Sequence, residues 1–275
     1  MRRRPFGSLG VEVPVIGLGT WNMERDDPKQ AIAALRRGLE HGMVHVDTAE
    51  LYGNGKVETL VGEAISGHRD RIFLTSKVLP KNAGFDATRR ACEASLRRLG
   101  TDHLDLYLLH WRGEVPLADT IRAFEALREG GKIRAWGVSN FDDGDLDEVE
   151  RIAPGKLACN QVLYHLRERA IEHRVIPWCE QRNVAVVAYS PFGSRGAFPQ
   201  HAVFDEISKR FDATPRQIAL AFLTRRPSVF AIPKSSQPAH VDELAGADRV
   251  VLDHAALAEI EVAFPLAPWR GLPMI

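Results

Sequence analysis

Met43-Val44-His45-Val46-Asp47-Thr48-Ala49-Glu50-Leu51-Tyr52-Gly53-Asn54 reads as a short β-branched strand running straight into a polar loop. The same grammar returns at Ile72-Phe73-Leu74-Thr75-Ser76-Lys77 and at Leu104-Asp105-Leu106-Tyr107-Leu108-Leu109-His110-Trp111. Each run ends on a residue that can move or hold a proton: Asp47 and Tyr52, then Lys77, then His110. Polar chemistry gathered at the C-terminal ends of apolar strands is the pattern of parallel strands whose ends open on one mouth.

Working outward, eight such runs are legible: Val15–Leu18, Val44–Asp47, Ile72–Ser76, Leu104–Leu109, Ile133–Val138, Leu157–Val162, Val184–Tyr189 and Val229–Ile232. Amphipathic segments separate them. Asp86–Leu99 carries Ala91, Ala94, Ser95 and Leu99 on one stripe, and Leu117–Arg128 carries Ile121, Phe124 and Leu127. Gly42, Gly100 and the Gly130-Gly131 pair stand where helix C-caps belong. The interval between strands is mostly about 30 residues, the size of one βα unit. Eight units in one chain predict an α/β fold, a (β/α)8 TIM barrel, rather than a doubly wound sheet. Arg4–Phe6 and Val11–Val13, flanking Gly7-Ser8-Leu9-Gly10, predict a short N-terminal β-hairpin under the barrel. The long last interval has room for an extra helix over Val203–Phe211. No linker or low-complexity tract breaks the chain, so residues 1–275 are expected to form a single barrel domain.

Composition limits the function classes. Thirty-six basic and 36 acidic side chains cancel, giving no electrostatic case for nucleic acid or an anionic membrane surface. Arg2-Arg3-Arg4 is followed by Pro5-Phe6-Gly7 rather than an apolar stretch, which argues against a signal peptide. No segment approaches the length of a membrane-spanning helix. Cys92, Cys159 and Cys179 are odd in number and far apart, which suits a reducing cytoplasm and suggests no zinc site.

A phenol, an ammonium, a carboxylate and an imidazole at one mouth form a proton-transfer set. A free phenol titrates near 10, so Tyr52 needs help to act as an acid at neutral pH. A lysine about 4 Å away, at an effective dielectric of about 20, favours the phenolate by roughly 4 kcal/mol, on the order of three pK units. Lys77 is the expected source, with Asp47 pairing Lys77 and aiming it, and His110 meeting a substrate carbonyl oxygen. Each residue alone has a plainer reading: Asp47 as a turn cap, Lys77 as a solvated tip, His110 as a packed histidine, Tyr52 as a loop aromatic. His45, two residues before Asp47 on the same strand face, reads as an interior barrel histidine. A metallohydrolase is the weaker alternative, because the later strand ends carry Ser139, Asn140, Gln161 and Tyr189 rather than further His and Asp ligands. Amide and hydroxyl groups there suit a carboxamide, and Tyr189 offers a flat stacking face. Ile232-Pro233-Lys234-Ser235-Ser236-Gln237-Pro238, leading into a helix, suits a phosphate. No Gly-x-Gly-x-x-Gly follows the first strand, so a Rossmann mode is not expected.

In these segments the chain resembles the aldo-keto reductase superfamily, in order and over nearly its whole length. The matching motifs are Asp47-Thr48-Ala49…Tyr52-Gly53-Asn54, Lys77, Leu109-His110-Trp111, Gly137-Val138-Ser139-Asn140-Phe141, Asn160-Gln161, Ala188-Tyr189-Ser190-Pro191 and Ile232-Pro233-Lys234-Ser235. The resemblance implies a barrel that binds NADPH (NADP+), with NADH as an alternative, and reduces a small aldehyde or ketone. It implies Tyr52 as acid with Asp47, Lys77 and His110 completing a tetrad. It further implies cofactor contacts at Gly19, Thr20, Trp21, Asp47, Ser139, Asn140, Gln161, Tyr189, Ser190, Phe192, Gly193, Lys234, Ser235 and His240. Trp21, Tyr52, His110 and Trp111 would face the substrate. Some barrels of this kind serve as nicotinamide-binding regulatory subunits, and the complete tetrad argues against that. Where many members have an arginine and an asparagine near the adenine, this chain has His240 and Leu244, and Arg112-Gly113 follows the His-Trp pair in place of proline. The tail after Phe264 is short, and Trp269 is within reach of the mouth.

Overall fold

The computed structural model describes residues 1–193 and 198–275. The chain opens with β1 (Arg3–Pro5) and β2 (Glu12–Pro14), paired antiparallel with Arg4 opposite Val13. This hairpin lies one residue away from its predicted bounds. Strands and helices then alternate: β3 (Leu18–Gly19), α1 (Pro28–Glu40), β4 (His45–Asp47), α2 (Lys56–Ile65), β5 (Phe73–Val78), α3 (Phe85–Leu99), β6 (Leu104–Leu109) and α4 (Leu117–Glu129). The second half continues with β7 (Ile133–Ser139), α5 (Asp143–Ile152), β8 (Cys159–Leu163), α6 (Val175–Gln181), β9 (Ala185–Tyr189), α7 (Val203–Phe211), α8 (Pro215–Leu223), β10 (Val229–Ala231), α9 (Pro238–Gly246) and α10 (His254–Ala263).

Strands β3 to β10 pair in parallel with each sequence neighbour. The ring closes through Gly17 N donating to Ala231 O at 2.8 Å, Ala231 N to Val15 O at 2.9 Å and Gly19 N to Pro233 O at 2.9 Å. A β-carbon on Gly19 would stand 2.5 Å from the Ile232 carbonyl oxygen, so this seam needs a residue without one. The first strand is therefore shorter than Val15–Leu18 suggested, because close approach replaces a regular ladder there.

Alternation along each strand divides the core in two. Val46, Leu74, Tyr107, Leu109, Trp136, Val138, Val162 and Val186 face the surrounding helices. Leu106, Leu108, Ala135, Cys159, Ala185, Val187, Phe230 and Ile232 fill the barrel lumen. The hairpin delivers Phe6 as a stopper at the lower end, its ring 4.9 Å from both Phe73 and Phe230 and 5.9 Å from His45. His45 is thus the interior histidine its strand position predicted, with no exposed surface.

Local signals set the helix ends. Asp27 caps α1 by accepting from Gln30 N at 2.8 Å, with Pro28 in the first turn. Thr214 and Gln217 form a reciprocal capping box on α8. Gly100 ends α3 in the left-handed conformation. The N-terminal arginines anchor the hairpin rather than forming a free basic patch. Arg4 Nη1 donates to the carbonyls of Thr224 and Arg226 at 2.9 and 2.8 Å, and the Arg2 backbone N–H meets Asp248 at 2.8 Å. No helix among the described residues is long and apolar enough to cross a membrane.

Candidate active site

Asp47 ends β4 and Lys77 lies near the end of β5, so parallel pairing brings both to the upper rim. They meet there: Lys77 Nζ donates to Asp47 Oδ1 at 2.5 Å, to the Thr48 carbonyl at 2.8 Å and to the Tyr52 hydroxyl at 3.3 Å. Gln161 Nε2, from β8 across the lumen, donates to the second carboxylate oxygen at 2.7 Å. Asp47 therefore spends its carboxylate on Lys77 and Gln161, not on capping the turn after it. Thr20 Oγ donates to the Asp47 carbonyl at 2.8 Å and ties the first strand end to the second.

Tyr52 reaches this pair through an unusual turn. Gly53, Asn54 and Gly55 are all left-handed, with φ of 55°, 53° and 86°. Two glycines and an asparagine are the residues that adopt such a run at least cost. The turn folds the ring back so that Lys77 Nζ sits 5.0 Å from its centroid, while α2 starts directly behind it.

Electrostatics amend one expectation. Burial works against the Lys77 ammonium, but Asp47 and then Tyr52 outweigh it and hold its pKa above the ordinary lysine value. Burial also raises the Tyr52 phenol above its ordinary value, and Lys77 only partly opposes it. The net upward shift corrects the expected drop of three pK units, which counted the charge of Lys77 and left out loss of solvent. Tyr52 is consequently a firmly protonated phenol at neutral pH, with a cation beside it that becomes a stronger partner once a proton leaves.

His110 follows β6 and packs edge-on to Tyr52, ring centroids 5.8 Å apart. Burial, followed by the charge of Lys77, lowers its pKa to about 2, so the ring is neutral. Its Nδ1 is buried without a partner. An orphaned N–H costs more than an orphaned lone pair, so the favoured tautomer carries its proton on Nε2. That leaves a donor for the cavity.

Above these groups lies a cavity of about 490 Å³, within the range of a small-molecule site. Tyr52, His110 and Asp47 form its floor, and Trp21, Leu51, Trp111, Met274 and Ile275 form an apolar side. The wall then runs past Gly19, Thr20, Ser139, Asn140, Gln161, Tyr189, Ser190, Phe192, Gly193 and Ile232 to Lys234. Asn140 is engaged on every side: its Nδ2 donates to the His110 carbonyl and to Ser139 Oγ, and its Oδ1 accepts from the Tyr189 hydroxyl at 2.8 Å. It ties three strand ends together and anchors the Tyr189 ring by its hydroxyl. Asn22, Asn140 and Ser190, all on the wall, have left-handed backbones, a strain that surrounding structure must hold in place.

Some expected positions lie elsewhere. Lys77 is completely buried behind Tyr52 and does not reach the cavity. Ser235 turns its hydroxyl to Gln237 at the start of α9, accepting from Gln237 N at 3.1 Å. His240 is exposed on α9, outside the wall. Trp269 packs under Arg174, 5.5 Å from the guanidinium, and leaves the mouth to Met274 and Ile275. Lys234 is on the wall but already paired, its Nζ 2.5 Å from Asp26 Oδ2. Sequence reasoning passed over Asn22, Leu51, Met274, Ile275 and Asp26. Asn22 and Leu51 adjoin residues already singled out, whereas no local pattern marks the tail or Asp26. Among the described residues no group of three or more His, Cys, Asp or Glu is placed to hold a metal ion.

Comparison with known proteins agrees with this geometry. Residues 15–263 match the model of the aldo/keto reductase family. The chain is 45% identical over 262 residues to methylglyoxal reductase YeaE of Escherichia coli strain K12, covering 93% of this chain and 92% of that protein. It is 36% identical over 229 residues to a glyoxal reductase of Bacillus subtilis, covering 82% and 80%. An aldo/keto reductase from Klebsiella pneumoniae, solved in complex with NADP and acetate, superposes with a TM-score of 0.95 at 43% identity over the full length of both chains. The barrel, the rim that gathers Asp47, Tyr52, Lys77 and His110, and these matches together establish that the chain belongs to the aldo/keto reductase family.

Proposed function

We propose that residues 1–275 act as one aldo-keto reductase domain that uses NADPH to reduce short aldehydes and vicinal dicarbonyls to alcohols. The observation that carries this reading is the Tyr52 hydroxyl on a cavity floor, 3.3 Å from an ammonium that is itself locked to Asp47. The dinucleotide is supported by the wall itself: a flat ring fixed by Asn140, then Ser190, Phe192 and Gly193, then the Lys234 cation. Relatives named for methylglyoxal and glyoxal support the substrate class.

In this mechanism the substrate carbonyl oxygen accepts hydrogen bonds from the Tyr52 hydroxyl and from His110 Nε2. Trp21, Leu51, Trp111, Met274 and Ile275 shield it from water. When bound, NADPH supplies a hydride to the carbonyl carbon. As negative charge develops on the oxygen, the Tyr52 O–H bond breaks and its proton passes to that oxygen, completing the alcohol. Lys77 stabilises the phenolate left behind, and Asp47 with Gln161 keeps Lys77 charged and aimed. The neutral His110 ring keeps its own proton throughout and acts as a positioned donor. Solvent then reprotonates Tyr52. Three free, buried cysteines suit a cytoplasmic enzyme, which is the location we propose.

The test is a panel of methylglyoxal, glyoxal, simple aldehydes and ketones with NADPH or NADH, followed by loss of reduced-nicotinamide absorbance. Turnover of the dicarbonyls with NADPH is expected. No oxidation of NADPH by any carbonyl in the panel would overturn the reading.

A further inference from the structure

Lys234 is the lone lysine or arginine on the cavity wall among the described residues, and its charge is already answered. Asp26, at the end of the turn that follows β3, accepts from Lys234 Nζ at 2.5 Å and from Ser236 Oγ at 2.6 Å through the same oxygen, Oδ2. The two residues lie 208 positions apart, and the contact joins the first strand-to-helix loop to the last. It is held in register by neighbours: Gln30 Nε2 donates to Gln237 Oε1 at 2.8 Å, and Asp242 on α9 accepts from Arg37 on α1 at 2.6 Å. Burial works against the Asp26 charge, yet Lys234 and Ser236 keep its pKa below the usual carboxylate range, so it stays ionised. His240, the other basic group expected near this end, faces solvent.

We propose that Asp26 is a specificity-determining residue for the nucleotide, an internal anion that competes for Lys234 and narrows the preference for NADPH over NADH. The proposal rests on the reading that the Lys234 end of the cavity receives the adenosine ribose. A 2′-phosphate arriving there finds an ammonium whose charge is shared with a carboxylate, and it sits close to that like charge. A ribose 2′-hydroxyl meets no such repulsion and can donate a hydrogen bond to the same carboxylate. One residue therefore weakens NADPH and favours NADH. Lys234 and Asp26 are each about one-third exposed, 31% and 32%, so water screens the competition. Partly exposed charge pairs set its scale at about two- to five-fold in a dissociation constant.

Dissociation constants of NADPH and NADH, measured by nicotinamide fluorescence on Asp26→Asn, Asp26→Ala and Lys234→Ala, test this. Asp26→Asn keeps the shape of the side chain, and Asp26→Ala removes every oxygen that could hold Ser236. Both should tighten NADPH about two- to five-fold and leave NADH unchanged or weaker, widening the ratio. An unchanged ratio, or weaker NADPH binding, in both Asp26 variants overturns the proposal: in the second case Asp26 merely orients Lys234. Lys234→Ala separates this from the parent reading. If Lys234→Ala collapses the preference while the Asp26 variants leave it alone, only the role of Asp26 fails. If Lys234→Ala also leaves the preference alone, the phosphate does not sit at Lys234 and both statements fall.

Discussion

Tyr52 is the residue on which the proposed chemistry turns, and its surroundings say what should happen when they are altered. Tyr52→Phe removes the proton and keeps the ring, so turnover should fall about 10²- to 10⁴-fold while the NADPH dissociation constant stays nearly constant. A variant keeping more than about a tenth of the wild-type rate would take Tyr52 out of the mechanism. Because burial already raises the phenol, Lys77 is what keeps a phenolate affordable in the reaction. Lys77→Met should slow reduction and move its pH dependence to the alkaline side. Asp47→Asn should do the same more weakly, since the ammonium survives with poorer aim. Identical pH profiles in the three proteins would remove the electrostatic role of Lys77, whatever the loss of rate. His110 carries a prediction of the opposite kind. With its pKa lowered to about 2, it should contribute no limb to the pH profile across the neutral range. An inflection near the ordinary imidazole value that disappears in His110→Gln would contradict the neutral-donor assignment.

The turn that carries Tyr52 is the least forgiving element. Gly55 has φ of 86°, and a β-carbon there would stand 2.5 Å from Arg98 Nε. Arg98 is not free to leave, because its guanidinium is 2.6 Å from the buried carboxylate of Glu58, whose other oxygen accepts from Ser76 Oγ at 2.6 Å. Gly55→Ala therefore combines left-handed strain of about 1–2 kcal/mol with displacement of a buried ion pair. The strain alone should shift thermal unfolding down by about 2–8 °C, taking about 2–4 °C per kcal/mol for a protein somewhat smaller than this one, and displacing the ion pair should add to it. Turnover should fall along with it, since the Tyr52 hydroxyl moves off the Lys77 axis. Thermal scans with steady-state rates check both, and a Gly55→Ala protein with wild-type melting would show that the turn tolerates a side chain. Gly100, which ends α3 beside open solvent, is a fair control for left-handed strain without a clash.

For the barrel as a body, three histidines link folding to acid. His45, His110 and His165 have pKa values lowered from 6.5 to about 3, about 2 and about 4, each chiefly by burial. The unfolded chain binds protons at these sites before the folded one does. Their contribution to stability is therefore complete above the unfolded value of 6.5 and is lost as pH falls through the folded values. Melting temperature should decline steadily below about pH 6.5. His45 is the cleanest place to test the sign, because both its ring nitrogens are buried without partners and its ring is enclosed by Phe6 and Phe73. His45→Phe should flatten the decline between about pH 6 and pH 4, whatever it does to stability at neutral pH. An unaltered slope would show that His45 is already protonated in the folded barrel.

The strand-and-helix rhythm was legible because it is local: alternation and 3.6-residue stripes report which face of each element is buried, and caps report where it stops. Eight successive βα units leave few ways to bury those faces, so the barrel and the gathering of Asp47, Tyr52, Lys77 and His110 at one rim follow from pattern alone. Most boundaries moved by a residue or two, as in the hairpin and β8, and the largest change came where close approach replaced a regular ladder, at Gly19 beside Ile232. What the pattern could not supply is pairing at long range. Gln161 reaches Asp47 across 114 positions, Lys234 reaches Asp26 across 208, and Met274 and Ile275 rather than Trp269 come to the mouth. Those partners depend on where side chains end up after the ring has closed. The sign of the Tyr52 shift belongs with them. A sequence names the charge beside a phenol, but only the packed structure says how much water has been removed from it, and here burial outweighs the neighbouring ammonium.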